Sequence, residues 1–210
     1  MVNGSSKRFM MLSRRKWQAR SITDYHGAIR RERNAAIWKL FSGVTNPTIS
    51  LMEGSVAPTF TLEAVGSGRV FQLSAYRGRH VLLIFVSGFA ARNTRDLVIG
   101  VRRHFPDFDP LPLAIIINLA AVPGLLRGAV KNFMESAYRD AAGEIPPGYA
   151  PDEHLILLPD WSGKITSAYS FNDSGNEVHL VSISPEGQIL ADFHGPGAVN
   201  NTIALLQKVL

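Results

Sequence analysis

Two uninterrupted apolar runs lie in the middle of this chain. Residues 80–86 read HVLLIFV, and residues 113–118 read LAIIIN. Short continuous apolar runs of this length are typical of strands that are buried on both faces of a sheet. Each run is followed by a segment with helical character, at residues 91–104 and 123–142. The middle of the chain therefore predicts an α/β domain.

Shorter patterns on either side complete the predicted domain. Residues 60–65 and 70–73, joined by a Gly-Ser-Gly turn, predict an N-terminal hairpin. The later pattern predicts a strand at 155–158, a short helix at 162–171, a hairpin with strands at 179–183 and 188–193, and a last helix at 197–210. Such an order indicates a mixed central sheet with helices on both faces.

The first 50 residues differ from the rest of the chain in charge. They hold ten Lys or Arg against two acids, a net charge of +8, whereas the other 160 residues carry −3. A helix with a mostly apolar stripe is predicted at about residues 21–42, and the α/β domain is predicted to begin at residue 52. This basic arm (residues 1–50) indicates an anionic partner, with a presequence or a solvated tail as the alternatives.

The candidate partner-binding residues of the basic arm are cations and the aromatic residues among them. Protein partners, lipid headgroups and nucleic acid all remain open. Stacked rings beside cations suit single-stranded nucleic acid, although no RNA-module signature accompanies them. The candidates are Arg14, Arg15, Lys16, Trp17, Arg30, Arg31, Arg33 and Trp38.

Composition excludes several classes of function. The chain has no cysteine in 210 residues, which rules out disulfides, thiolate metal sites and cysteine nucleophiles. It shows no apolar run long enough to span a membrane, no secretory signal, and none of the common phosphate, dinucleotide, zinc-protease or serine-hydrolase motifs. We expect no cofactor, and a location in the cytoplasm or mitochondrial matrix, with peripheral attachment to a membrane complex as a further option.

Three segments resemble the redoxin branch of the thioredoxin-like superfamily, which includes peroxiredoxins and thiol reductases. They are the opening motif Gly54–Leu62, the segment Leu73–Arg79 before the VLLIF strand, and Ile183–Ile189 before the last strand. The resemblance covers about residues 52–210 and implies a thioredoxin-like sheet. It also implies thiol chemistry, because a thiolate is the reactive group of that family.

The reactive positions implied by the resemblance have been replaced. Matching the strand that ends near Phe85 puts the two redox cysteines of the reductases on Ala90 and Asn93. A peroxiredoxin match puts a single cysteine near Asn93 or Thr94 instead. The family's cis-proline falls at about Val178, and a cis peptide is essentially a proline phenomenon. The resemblance thus implies a domain without redox activity.

The vacated helix start offers one candidate site. Free backbone N–H groups and two guanidinium groups there could hold a carboxylate or phosphate, and the alternative is that the cations are simply solvated. The candidate anion-binding residues are Arg92, Asn93, Thr94 and Arg95.

The last hairpin offers a second candidate site. If Ile183 pairs with Gln188, then His179 lies opposite Asp192 and Glu177 opposite His194. Period-two geometry places these four residues on one face, where they could ligate a divalent metal. The alternative is a set of ordinary cross-strand polar contacts, and a slip of one residue would disperse the group.

The leading functional hypothesis is a redox-inactive thioredoxin-like domain that serves as a structural or binding subunit. Its basic arm would anchor it to a larger assembly. The alternatives are a redoxin-superfamily oxidoreductase or antioxidant enzyme with non-cysteine chemistry at the hairpin, and nucleic-acid binding through the arm.

Overall fold

The computed structural model describes residues 52–88, 94–145, 147–171, 178–195 and 197–210. The basic arm and its predicted helix lie outside these residues. The strands are β1 (Thr61–Glu63), β2 (Val70–Gln72), β3 (Val81–Ser87), β4 (Leu113–Asn118), β5 (Ile156–Asp160), β6 (Val178–Ile183) and β7 (Ile189–His194). The α-helices are α1 (Thr94–His104), α2 (Arg127–Ala142), α3 (Pro151–His154), α4 (Lys164–Ala168) and α5 (Ala198–Val209).

The predicted mixed sheet is confirmed. Five strands lie in the order β5-β4-β3-β6-β7, and β1 and β2 form a separate antiparallel hairpin. β3 is parallel to β4 and β4 to β5, whereas β6 runs antiparallel to both β3 and β7. The two long apolar runs become the central β3 and its neighbour β4, and β3 is buried along its whole length.

The two faces of the sheet are covered by different elements. Alternate residues of β3, such as Leu83 and Phe85, join a core with Phe71 of the β1–β2 hairpin and Tyr169 after α4. α5 packs on β6, β7 and α1. Because successive side chains of a strand point to opposite faces, both faces of β3 must be apolar, as its sequence already indicated.

Several predicted boundaries shift. The helix predicted from residue 123 begins at Arg127, after a 3-10 turn at Gly124–Leu126. The helix predicted at 162–171 is only Lys164–Ala168, since Ser170 takes a left-handed conformation with φ of 57°. α3 occupies residues to which the pattern assigned no helix.

The three segments that carry the family resemblance meet in space. The opening motif reaches the β6–β7 turn, where Ala57 N–H donates to the Gly187 carbonyl at 3.0 Å. The segment after β2 reaches the same turn, because Gly78 N–H donates to the Pro185 carbonyl at 2.9 Å. Gly187 has φ of 76°, and the Arg77 guanidinium lies where its Cβ would be. The three segments therefore meet at one turn of the fold.

Candidate functional site

His179, Asp192 and His194 lie together on the β6–β7 hairpin. Strand pairing sets His179 opposite His194 and Val181 opposite Asp192. Side chains two residues apart on a strand share a face, so the three polar side chains point to the same side. We call these three residues the hairpin cluster.

The hairpin cluster is centred on one carboxylate oxygen. Asp192 Oδ1 contacts His179 Nε2 and lies 2.9 Å from His194 Nε2. The two imidazole rings stack, with centroids 4.0 Å apart and an interplanar angle of 27°. One donor atom from each residue can be chosen so that all three lie within 4.8 Å of one another.

The predicted register of this hairpin is wrong, although the grouping of these three residues on one face is observed. Ile183 pairs with Ile189 instead of Gln188, and a bulge between Ser182 and Ile183 shifts the remaining pairs by one further residue. The total shift of two residues preserves the face on which each side chain lies. It removes the predicted His179–Asp192 cross-strand pairing. Glu177, the fourth predicted member, lies outside the described residues.

Burial sets the protonation of His179. Its side chain is 1% exposed, against 11% for Asp192 and 51% for His194. Its ring lies 5.5 Å from the Phe85 ring and 6.2 Å from the Phe171 ring, centroid to centroid. Desolvation lowers the pKa of His179, and the neighbouring Asp192 carboxylate opposes that shift. The neutral imidazole, which carries a free lone pair, is favoured.

Polar atoms of the hairpin cluster are incompletely satisfied. Within the described residues, Nδ1 and Nε2 of His179 and Oδ1 of Asp192 are buried and have no partner with hydrogen-bond geometry. Asp192 Oδ1 nevertheless contacts both His179 Nε2 and His194 Nε2. Most buried polar groups in proteins have a partner, so this arrangement calls for a specific explanation.

The hairpin cluster lies at the end of the sheet where β3 finishes. Val86 pairs with Val178, and Phe85 pairs with His179. The chain leaves β3 at Ser87 and continues toward Ala90 and Asn93, to which the resemblance assigns the redox cysteines and which lie outside the described residues. Val178, the implied cis-proline position, is the first residue of β6, and no cis peptide occurs in the described parts of the chain.

The predicted anion site is described only in part. Thr94 is the first residue of α1 and is buried. Arg95 Nε lies 2.9 Å from Glu144 Oε2 in an exposed ion pair. The guanidinium that was predicted to meet an anion thus already has a carboxylate beside it. Arg92 and Asn93 lie outside the described residues, as do all eight candidate partner-binding residues of the basic arm.

The sequence pattern did not identify the aromatic residues that pack against His179, nor a buried carboxylate on β5. Phe85 and Phe171 stack near His179, and period-two alternation along β3 could have pointed to Phe85. Asp160, at the end of β5, is 1% exposed, and its Oδ2 accepts a hydrogen bond from the Thr166 backbone N–H at 2.9 Å. The carboxylate holds the start of α4, which the Asp-x-Ser spacing to Ser162 could have indicated.

No described helix is both long and apolar enough to cross a bilayer. No protein-family model matches the chain, and no curated protein matches it.

Solved structures do resemble the chain. The exposed lipoprotein thioredoxin of Streptococcus pneumoniae is 19% identical, with a TM-score of 0.51 over 72% of this chain and 99% of that one. The thioredoxin domain of a thiol-disulfide oxidoreductase from Bacteroides vulgatus is 18% identical, with a TM-score of 0.50 over 74% and 98%. A proposed thiol:disulfide interchange protein, DsbE, from Chlorobium tepidum is 16% identical, with a TM-score of 0.52 over 76% and 98%.

These likenesses establish the fold. The described domain is thioredoxin-like, with a mixed central sheet and helices, as the three sequence segments implied. At such identities the likeness carries no activity to this chain, and it does not single out the peroxiredoxin branch.

Proposed function

We propose that this chain is a redox-inactive member of the redoxin branch that serves as a structural or binding subunit. The observation that carries the proposal is a thioredoxin-like fold in a chain with no cysteine. Thiol-disulfide exchange requires a thiolate to attack a disulfide sulfur, and this chain cannot supply that atom. What it retains is the folded scaffold and its surface.

The basic arm supplies the proposed anchor. Its net charge of +8 contrasts with the −3 of the remaining residues. An acidic protein surface would attract such a segment over roughly a Debye length, about 8 Å at physiological salt. The subunit role and the anchoring by the basic arm form one proposal, because a subunit without catalytic activity acts through the surface by which it binds its partners.

The experiment compares partner recovery by the full chain and by residues 46–210, using affinity capture and mass spectrometry from the native source. We expect the shortened chain to lose the partners of the full chain. A triple Arg30→Gln, Arg31→Gln, Arg33→Gln variant should lose them as well, because the charge of the arm carries the attraction.

The matched control variant removes three positive charges from the α/β domain instead, by substitution of the exposed residues Arg103, Lys131 and Lys208. It should recover partners as the full chain does. Unchanged recovery by the shortened chain would refute the proposal. Binding to nucleic acid, with a steep salt dependence, would identify a different partner for the arm.

An enzyme with non-cysteine chemistry is the second candidate, and the hairpin cluster is the observation that favours it. Two imidazoles and a carboxylate lie at the end of the sheet where the family resemblance places its reactive groups. Hydrogen peroxide reduction by the pure chain with an added thiol as the reductant, abolished in His194→Ala, would support this candidate over the binding subunit.

A further inference from the structure

We propose that His179, Asp192 and His194 form a binding site for a divalent first-row transition metal, with Zn²⁺ as the probe ion. The proposal goes beyond the subunit role and does not depend on it. Its basis is a set of three donor atoms, one from each residue, that lie within 4.8 Å of one another.

The donor set fits such an ion. Imidazole nitrogen suits zinc, copper, iron and nickel, and a carboxylate oxygen completes sites of the two-histidine, one-carboxylate type. Metal–ligand bonds of about 2.0–2.2 Å place the ligand atoms of a tetrahedral ion about 3.3–3.6 Å apart. His194 Nε2 and Asp192 Oδ1 are 2.9 Å apart, and His179 Nε2 contacts the same oxygen, so the hairpin cluster has to open slightly to admit the ion.

The burial of polar atoms in the hairpin cluster is a second observation. His179 is 1% exposed, its Nε2 contacts Asp192 Oδ1, and its Nδ1 has no partner within the described residues. A metal ion would bind a nitrogen lone pair of His179 and the Asp192 oxygen at once.

Metal binding requires one ring to move. The imidazoles now stack with centroids 4.0 Å apart, so their lone pairs do not converge on one point. His179 packs against both Phe85 and Phe171, whereas His194 is half exposed and is the last residue of β7. The ring of His194 can therefore turn toward the metal without disturbing the core.

The geometry also indicates that a bound metal would have an open coordination position. Three protein ligands leave at least one coordination position of a tetrahedral ion open, as in catalytic zinc sites. The exposed side of His194 gives solvent access to that position. A bound water or a small anion is the expected fourth ligand, and a single carboxylate leaves the site with a net positive charge.

The test titrates the full chain, stripped with chelator and dialysed, with Zn²⁺ against a chromophoric competitor. Co²⁺ titration monitors the visible absorption bands of the bound ion. We expect one high-affinity ion per chain. Either His194→Ala or Asp192→Asn should weaken Zn²⁺ affinity at least 100-fold and remove the Co²⁺ bands.

His104→Ala is the matched control, since His104 is an exposed histidine on α1 whose ring contacts only Gln207 and Phe105 among the contacts described. It should bind both metals as the unaltered chain does. Circular dichroism confirms the fold of each variant, and Asp192→Asn preserves side-chain shape if His194→Ala does not fold. Failure of the unaltered chain to bind Zn²⁺, or equal affinity in the unaltered chain and both cluster variants, would overturn the proposal.

Discussion

At the scale of single residues, Gly66 in the β1–β2 turn shows how closely the hairpin approaches α2. Its φ is 86°, and a Cβ placed on it would lie 2.9 Å from the Cβ of Tyr138. Gly66→Ala combines a disfavoured backbone conformation, costing about 1–2 kcal/mol, with overpacking, costing about 1–3 kcal/mol. We predict that the free energy of unfolding falls by about 2–5 kcal/mol in urea titration.

The matched variant is Gly68→Ala in the same turn. Gly68 also has a positive φ, 67°, but a Cβ there meets nothing within 4 Å. Gly68→Ala should therefore lower the free energy of unfolding only through the disfavoured backbone conformation, by about 1–2 kcal/mol. If the two variants lose the same stability, the contact between Tyr138 and this turn does not restrict substitution.

At the scale of elements, Arg102 ties the end of α1 to the segment that leads into β4. Its Nη1 donates to the carbonyl oxygens of Asp107 and Leu111 at 3.1 and 3.0 Å. Burial lowers the pKa of Arg102 to about 10, which leaves it charged at neutral pH. Arg102→Ala would strip these carbonyls of their donor and should cost about 2–3 kcal/mol. Arg103→Ala, at an exposed neighbouring residue, is the control, and its free energy of unfolding should stay within about 0.5 kcal/mol of that of the unaltered chain. Thermal unfolding measures both variants. Equal losses of stability in the two variants would contradict the role of Arg102 as a tie between α1 and the segment before β4.

The strands also show which parts of the fold and of the hairpin cluster the sequence could predict. β3 and β4 were predictable because both are buried apolar runs, and the sharing of one face by His179, Asp192 and His194 required only period-two alternation. The pairing register was not predictable, because the bulge beside Ser182 depends on how the hairpin meets its neighbours. The burial of His179 against Phe85 could not be predicted either, since it depends on the pairing of β6 with β3, which are far apart in the sequence.

At the scale of the whole molecule, the described residues from 52 onward hold an extensive core. The buried apolar cluster runs from Ala57 to Ile189, and the last helix adds Leu206, which is fully buried. Burial of apolar surface contributes about 25 cal/mol per Å², so this core is the main source of stability. We predict that residues 46–210 unfold in one cooperative transition, within about 1 kcal/mol of the full chain.

Denaturant titration followed by both fluorescence and circular dichroism checks this prediction, because coincident transitions indicate a single folding unit. A broad transition with exposed apolar surface, detected by dye binding, would mean that the arm completes the core. That result would also change the meaning of the partner experiment, since loss of partners would then follow from loss of folding. Cooperative unfolding of the shortened chain is therefore the condition under which lost partners identify residues 1–45 as the anchor.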